Sequence, residues 1–192
     1  MTTQTNLFTD VNYLGNDWIE YTGDEQVFQE IHDYFISLFP DSQIRNSMYR
    51  LLSDCVTRQT DDKKLYYWVG RGSNGKTTFA NFIQSVFGKY CCSDGNYDED
   101  ACINFINGCK NFASDIVKIK SGIRVVISNG YLKSKQTNLS ANISFDSITF
   151  QTVFVENPTN NNQLVSDEHI IEKFNSWIQP FRWLLVNKIN NL

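Results

Sequence analysis

The stretch GRGSNGKT, residues 70 to 77, has the residue types and the spacing needed to hold phosphate groups. It fits the pattern G-x-x-x-x-G-K-[ST], in which glycines let successive backbone N–H groups converge on phosphate oxygens and the following helix adds the positive end of its dipole. In that pattern Lys76 reaches the terminal phosphates and Thr77 offers its hydroxyl group to Mg²⁺. The residues predicted to contact a nucleotide are Gly70, Arg71, Gly72, Ser73, Asn74, Gly75, Lys76, Thr77 and Thr78.

Two elements must position this loop, and the sequence predicts both. The apolar run KLYYWV at 64–69 is typical of a strand buried on both faces of a parallel sheet. After the loop, apolar residues recur at helical spacing up to Gly88, a natural helix end. Strand, glycine-rich loop and helix together are the context that the phosphate-binding pattern requires.

The remaining segments complete an α/β pattern. Helical spacing predicts a pair of helices before the loop, separated at Pro40, and a C-terminal helix over about 167–190 with a kink or break at Pro180. The run IRVVIS at 123–128 predicts a strand, and 143–155 has the alternation of extended chain.

Between these segments the pattern is weaker. The stretch DEDACINFINGC, 98–109, is compatible with a helix, and the acidic run at 94–100 predicts a loop and a helix start.

Composition excludes several classes of protein. The net charge of −4 gives no global sign of nucleic-acid binding, and five cysteines without a C-x-x-C pair argue against a disulfide framework or a zinc site. No apolar run approaches the roughly 20 residues of a membrane span, and the N-terminus lacks the features of a signal peptide. We expect a soluble, intracellular protein that does not enter a membrane.

The loop and its flanks resemble a known family. GRGSNGKTT followed by FANFIQSVFGKY is similar to the superfamily 3 helicase domain of the primase-helicases of poxviruses, other large DNA viruses and related phages. The helical segment before the loop and the segment FVENPTNNNQLVSDEHIIEKFNSWIQPFRWLLV, 154–186, resemble the two ends of that domain. The resemblance covers about residues 24–186.

This resemblance implies an α/β P-loop NTPase, an AAA+-like helicase core that uses ATP and Mg²⁺. It also implies a homo-oligomeric, hexameric ring that unwinds DNA during viral or mobile-element replication, in the host cytoplasm or at a viral replication site. The domain boundaries we expect are a polar leader (1–23), a helical segment (24–62), the NTPase core (63–165) and a C-terminal helix (166–192).

In the family, hydrolysis also needs an acidic pair for Mg²⁺, a polar sensor residue and an arginine from the adjacent subunit. The strand at 123–128 offers Asn129, either as the sensor asparagine or as a replacement for the metal-binding acid; spacing favours the sensor. Asp115 is the best candidate for the acid, ahead of Asp146 and Glu156. The region TNLSANISFDSITF, where the family carries its arginine finger, contains no arginine.

A basic segment is the candidate for contact with single-stranded DNA. Within 116–135 there are five basic residues, and Lys133 and Lys135 lie beyond the predicted strand, where related motors place channel loops. A solvated surface explains the same charges.

Three functions remain open from the sequence. The first is an ATP-dependent DNA helicase domain. The second is a truncated or degenerate paralogue that binds nucleotide, or helicase subunits, without hydrolysis. The third is a small-molecule kinase that uses the same phosphate loop, which the helicase-like flanks disfavour.

Overall fold

A helical pair opens the described part of the chain. The computed structural model describes residues 23–57, 64–93, 95–107, 116, 119, 122–129 and 144–187. Helix α1, Glu25–Leu38, begins where the Asp24 carboxylate accepts a hydrogen bond from the Gln26 amide at 2.9 Å. Helix α2 is Ser42–Thr57. The two helices meet at Pro40, as the sequence predicts.

A five-stranded parallel sheet forms the centre of the fold. Its strands are β1 (Lys64–Val69), β2 (Cys91–Ser93), β3 (Ile103–Asn107), β4 (Ile123–Ser128) and β5 (Ser144–Thr149). Their order in the sheet is β2-β3-β4-β1-β5. Alternate residues of β1 belong to different clusters: Tyr66 and Trp68 pack in the larger core, whereas Tyr67 packs in a smaller one on the other face.

The helix predicted over 98–109 is wrong for the residues that form β3. Ile103–Asn107 pairs with β2 on one side and with β4 on the other, and its first four residues are buried. A short continuous apolar run does not distinguish a buried strand from a buried helix, and here strand pairing decides. The described acids before it, Asp98 to Asp100, form a turn in which the Ala101 amide donates to the Asp98 carbonyl at 3.2 Å, and no helix starts within the described residues 95–102.

Helix α3, Lys76–Phe87, follows β1 and ends at Gly88, whose φ of 55° is left-handed. Two short strands, β6 (Val153–Val155) and β7 (Gln163–Val165), form a separate parallel pair before the last helix.

Helix α4, Ile170–Asn187, continues through Pro180, so a break at that residue is wrong. Phe174, Trp177 and Phe181 are buried on both sides of the proline. The packing of these side chains holds the helix together across a position that lacks one backbone N–H donor.

An aromatic cluster joins α1, α3 and α4 on one face of the sheet. The ring centroids of Phe82 and Phe174 are 4.8 Å apart, and those of Phe35 and Phe181 are 5.3 Å apart. Each fully buried side chain of this kind contributes about 1.5–3 kcal/mol. The buried Arg182 side chain adds a 2.7 Å hydrogen bond from Nε to the Val86 carbonyl of α3. Of the helices in the described ranges, none is long and apolar enough to cross a membrane.

Candidate phosphate-binding site

The loop between β1 and α3 has the backbone of an anion-binding turn. Ser73 and Gly75 have φ values of 57° and 77°. The first bond of α3 runs from the Phe79 amide to the Gly75 carbonyl at 2.8 Å, and Gly75 supplies no side-chain cap. The amide groups that precede Phe79 in the helix therefore lack an intrahelical acceptor and are suited to bind phosphate oxygens.

Glycine is required at two positions of the loop because neighbouring atoms leave no space for a Cβ atom. A Cβ atom at Gly70 would collide with the side-chain amide of Asn74 and lie 2.7 Å from the Phe150 carbonyl oxygen. A Cβ atom at Gly75 would lie 2.7 Å from Leu38 of α1. The first and second glycines of the motif thus make room for the loop's own asparagine and for the N-terminal helix.

The Lys76 side chain is folded into the loop. Only 4% of the residue is exposed. Its Nζ donates to the Gly70 carbonyl at 3.0 Å, to the Arg71 carbonyl at 3.4 Å and to Asn74 Oδ1 at 2.8 Å. Burial lowers the pKa of the Lys76 ammonium group.

Residues far along the chain anchor the loop, and sequence analysis missed them. The Phe150 amide donates to the Val69 carbonyl at 2.8 Å, and the Phe154 amide donates to the Ser73 carbonyl at 2.7 Å. These hydrogen bonds join backbone atoms, so no pattern of side chains in the sequence predicts them. Phe150, directly after β5, and Phe154, within β6, therefore hold the loop from behind and form the back wall of the site.

A polar cavity of about 610 Å³ separates the loop from the ends of two strands. Lys76, Thr77 and Thr78 line it on one side, and Asn107 and Asn129 line it on the other. The structure therefore brings Asn129 opposite the loop. It also brings Asn107 there, which sequence analysis missed because the strand that ends at Asn107 was predicted as a helix.

The lining of this cavity, among the described residues, contains no carboxylate. The polar side chains that face the loop are the Ser128 hydroxyl group and the amides of Asn107 and Asn129. In nucleotide sites, by contrast, Mg²⁺ is bound through one or two carboxylates together with the phosphates. No group of three or more His, Cys, Asp or Glu residues in the described part of the chain could hold a metal ion. The described residues therefore fit phosphate better than they fit a metal ion bound by the protein alone.

None of the described acids that the sequence suggests as Mg²⁺ ligands lines this cavity. Asp146 lies in β5 and forms an ion pair with Lys64 at 2.7 Å, and Glu156 is exposed beyond β6. Asp115 lies outside the described residues, as do Lys133 and Lys135.

Two basic residues that the sequence draws attention to, Arg71 and Arg124, do not line the polar cavity. Arg71 lines a neighbouring groove of about 710 Å³, with Asn129 and Gln151 among its other lining residues. Arg124, part of the basic segment, is buried in β4, and its Nη2 donates to the Ile119 carbonyl at 3.3 Å. Arg124 is therefore not part of a solvated basic surface.

A second cavity, of about 540 Å³, opens on the other side of the phosphate loop. It shares Ser73, Gly75 and Thr78 with the loop, and α1, the β6–β7 pair and α4 supply the rest of its wall. Its aromatic and aliphatic residues are Tyr34, Leu38, Phe154, Leu164, Val165, Ile170 and Trp177. The loop thus lies between a polar cavity and a largely apolar one.

Known proteins show similarity to this chain in fold and, over a shorter length, in sequence. No protein-family model matches the chain. A curated protein of Acanthamoeba polyphaga mimivirus, "Putative helicase L207/L206", is 27% identical over 71 residues, which are 37% of this chain and 7% of that protein.

Solved structures of the NrS-1 C-terminal region share the fold. The A form apo structure of region 305–718 has a TM-score of 0.59 at 12% identity, covering 89% of this chain and 46% of that one. A second A form apo structure of the C-terminal region has a TM-score of 0.60 at 12% identity, with 88% and 47% covered. This chain spans less than half of those chains and a small part of the mimivirus protein. The predicted α/β fold of P-loop NTPase type is confirmed, and the chain is distantly similar in sequence to a viral protein named as a helicase.

Proposed function

We propose that this chain binds a nucleoside triphosphate, ATP by family resemblance, with its phosphates in the loop at 70–77. The observation that carries this proposal is the position of Lys76, whose ammonium group is held inside a loop that ends in free helix N–H groups. A phosphate group would replace the loop carbonyls as the hydrogen-bond acceptor of this lysine. The Thr77 hydroxyl group would be a ligand of a Mg²⁺ ion bound to the nucleotide, and that ion would supply partial neutralisation of the phosphate charge.

The nucleoside half would occupy the apolar cavity beside Thr78. Its wall offers the Tyr34 and Trp177 side chains, with ring centroids 5.5 Å apart, and the carboxylates of Glu30 and Asp33. Aromatic and aliphatic side chains favour a base, and carboxylates accept hydrogen bonds from base or ribose donors but repel phosphate. The loop would therefore receive the charged end of the ligand and the cavity the uncharged end.

The wider role that we propose is that of a helicase-type domain in DNA replication. The phosphate loop, the resemblance of the flanking segments and the sequence similarity to the mimivirus protein support it. In this role the chain would assemble as a ring, Lys133 and Lys135 would contact single-stranded DNA, and Asn129 and Asp115 would orient water and metal. Unwinding would require all of these contacts together, whereas nucleotide binding requires the loop alone.

Calorimetric titration with ADP and ATP tests the proposal. We expect binding by the unaltered chain and a loss of about 3 kcal/mol in Lys76→Ala, because a charge-assisted contact to phosphate is removed. Lys89→Ala is the control, since Lys89 is an exposed lysine just beyond α3. Equal affinities in the Lys76 and Lys89 variants would reject the phosphate loop as the binding site.

A second candidate, nucleotide binding without hydrolysis, is favoured by the neutral amides of Asn107 and Asn129 opposite the loop. Steady-state ATP turnover, with and without single-stranded DNA, separates the two candidates. If the unaltered chain turns over ATP and Lys76→Ala abolishes that turnover, nucleotide binding without hydrolysis is eliminated as the function. Binding without turnover would support it, and a phosphorylated metabolite would point to a kinase.

A further inference from the structure

Asn74 is the most deeply buried polar residue of the phosphate loop. Only 2% of the residue is exposed, although the two residues before it are open to solvent. Its side chain lies against Gly70, at a distance that leaves no space for a Cβ atom there. The loop is therefore closed around this amide, which occupies its interior and leaves the outer rim to Gly72 and Ser73.

Both ends of the Asn74 amide contact parts of the site. Oδ1 accepts the 2.8 Å hydrogen bond from Lys76 Nζ, and Nδ2 donates a longer one, 3.5 Å, to the Phe150 carbonyl. Phe150 is itself fixed to the end of β1 through its amide. Asn74 thus links the lysine to the back wall of the site, and this link fixes the direction in which Oδ1 points.

The oxygen of Asn74 differs from the other two acceptors of Lys76. The carbonyls of Gly70 and Arg71 belong to the backbone and contact Nζ at 3.0 and 3.4 Å, whereas Oδ1 is closer, at 2.8 Å. An ammonium group has three donors, so phosphate can replace the two carbonyls while Asn74 keeps the third. A buried amide that retains one donor would hold Nζ at the site of the phosphates during this exchange.

We propose that Asn74 is the positioning residue of the phosphate loop: its side chain holds the Lys76 ammonium group in place to meet the phosphates of the ligand. The proposal rests on the proposed nucleotide binding and gives a specific role to Asn74, which the sequence predicts only as one of several residues in contact with the nucleotide. Asn74 acts through Lys76 and need not touch the ligand.

A double-mutant cycle on the full chain tests this role, with ADP affinity measured by NMR titration so that millimolar constants remain accessible. Asn74→Ala should weaken ADP binding roughly tenfold when Lys76 is present, and less than about twofold in a Lys76→Ala background. Asn81→Ala, an exposed asparagine on α3, is the matched control and should bind as the unaltered chain does. Asn74→Asp adds a second readout, since it keeps the size of the side chain but adds a charge that pairs with Lys76 and repels phosphate. It should bind ADP more weakly than Asn74→Ala.

The outcomes separate the role of Asn74 from that of the site. An equal loss on Asn74→Ala in both backgrounds would mean that Asn74 only shapes the loop, and would overturn the proposal. So would unchanged affinity in Asn74→Asp, which also covers the case in which Asn74→Ala fails to fold. If the unaltered chain does not bind ADP, the proposed function fails, and the role of Asn74 fails with it.

Discussion

The phosphate loop and the strand ends that face it differ in the charge they offer. The loop presents the Lys76 ammonium group and free helix N–H groups, whereas the described strand ends present the neutral amides of Asn107 and Asn129. Holding a phosphate requires only the first side, because its negative charge is met there. Breaking a phosphate bond also requires charge and metal ligands on the other side. The two sides of one cavity thus separate binding from catalysis.

The largest expected effect comes from a substitution that disrupts the phosphate loop. Gly75→Ala places a Cβ atom 2.7 Å from Leu38 at a φ of 77°. The left-handed conformation and the clash together should lower the free energy of unfolding by about 2–4 kcal/mol. Urea denaturation measures this change, and ADP affinity should fall as well.

Gly72→Ala is the control for this variant. No atom lies within 4 Å of a Cβ at Gly72, and its φ is not positive. We expect a change of less than about 0.5 kcal/mol. Similar losses in both variants would mean that the contact between α1 and the loop does not hold the loop in shape.

The next effect changes the strand side. Asn107→Asp introduces a carboxylate across the cavity from Thr77, where it can bind Mg²⁺. The quantity to compare is the ratio of ATP affinity with Mg²⁺ to ATP affinity in EDTA. This ratio should be about tenfold higher in Asn107→Asp than in the unaltered chain, or about 1.4 kcal/mol. Asn96→Asp, at an exposed turn, adds the same charge elsewhere and should leave this ratio unchanged. An unchanged ratio in Asn107→Asp would place Mg²⁺ away from β3.

A smaller effect separates the apolar cavity from the loop. Leu164→Ala removes an apolar side chain from the cavity wall and should weaken ADP binding roughly fivefold, about 1 kcal/mol, while leaving tripolyphosphate binding unchanged. The exposed Ile171 does not line the cavity, so Ile171→Ala is the matched control. Equal loss for ADP and tripolyphosphate would contradict the division of the ligand between the two sides.

The smallest effect concerns Asp146, which sequence analysis considered as a metal-binding acid. Its carboxylate is half exposed and paired with Lys64. Asp146→Asn should leave Mg²⁺-dependent ATP binding unchanged and cost at most about 0.5 kcal/mol of stability, as exposed ion pairs do. Lys64→Ala should give a similar small loss of stability. A lost Mg²⁺ dependence in Asp146→Asn would restore the residue as a candidate ligand.

The elements that the sequence predicted best are those with a long or well-bounded apolar pattern. Helix α1 is capped by Asp24 and ends before Pro40, and β4 coincides with IRVVIS, because caps, prolines and continuous apolar runs act locally. The strand β3 could not be predicted in this way, since its identity depends on pairing with β2 and β4, which are distant in sequence. The break that the sequence allows at Pro180 does not occur for a similar reason, because packing of α4 outweighs the local cost of the proline.

The site divides in a similar manner. The motif predicts which residues form the loop, because phosphate binding imposes their types and spacing. It does not predict Asn107, whose position follows from sheet order, nor the back wall at Phe150 and Phe154, whose bonds involve backbone atoms only. Asp115, Lys133 and Lys135 stay predictions.

The back wall has a consequence for how the protein is made. The loop ends at Thr77, but the amide that fixes Ser73 belongs to Phe154, which the ribosome adds much later. These contacts raise the contact order of the site, and such contacts form late because a long loop must close first. A nascent chain that already displays the full motif would therefore not yet bind nucleotide. Once β6 has docked, nucleotide would stabilise the folded state by mass action, and its capture would report that folding is complete.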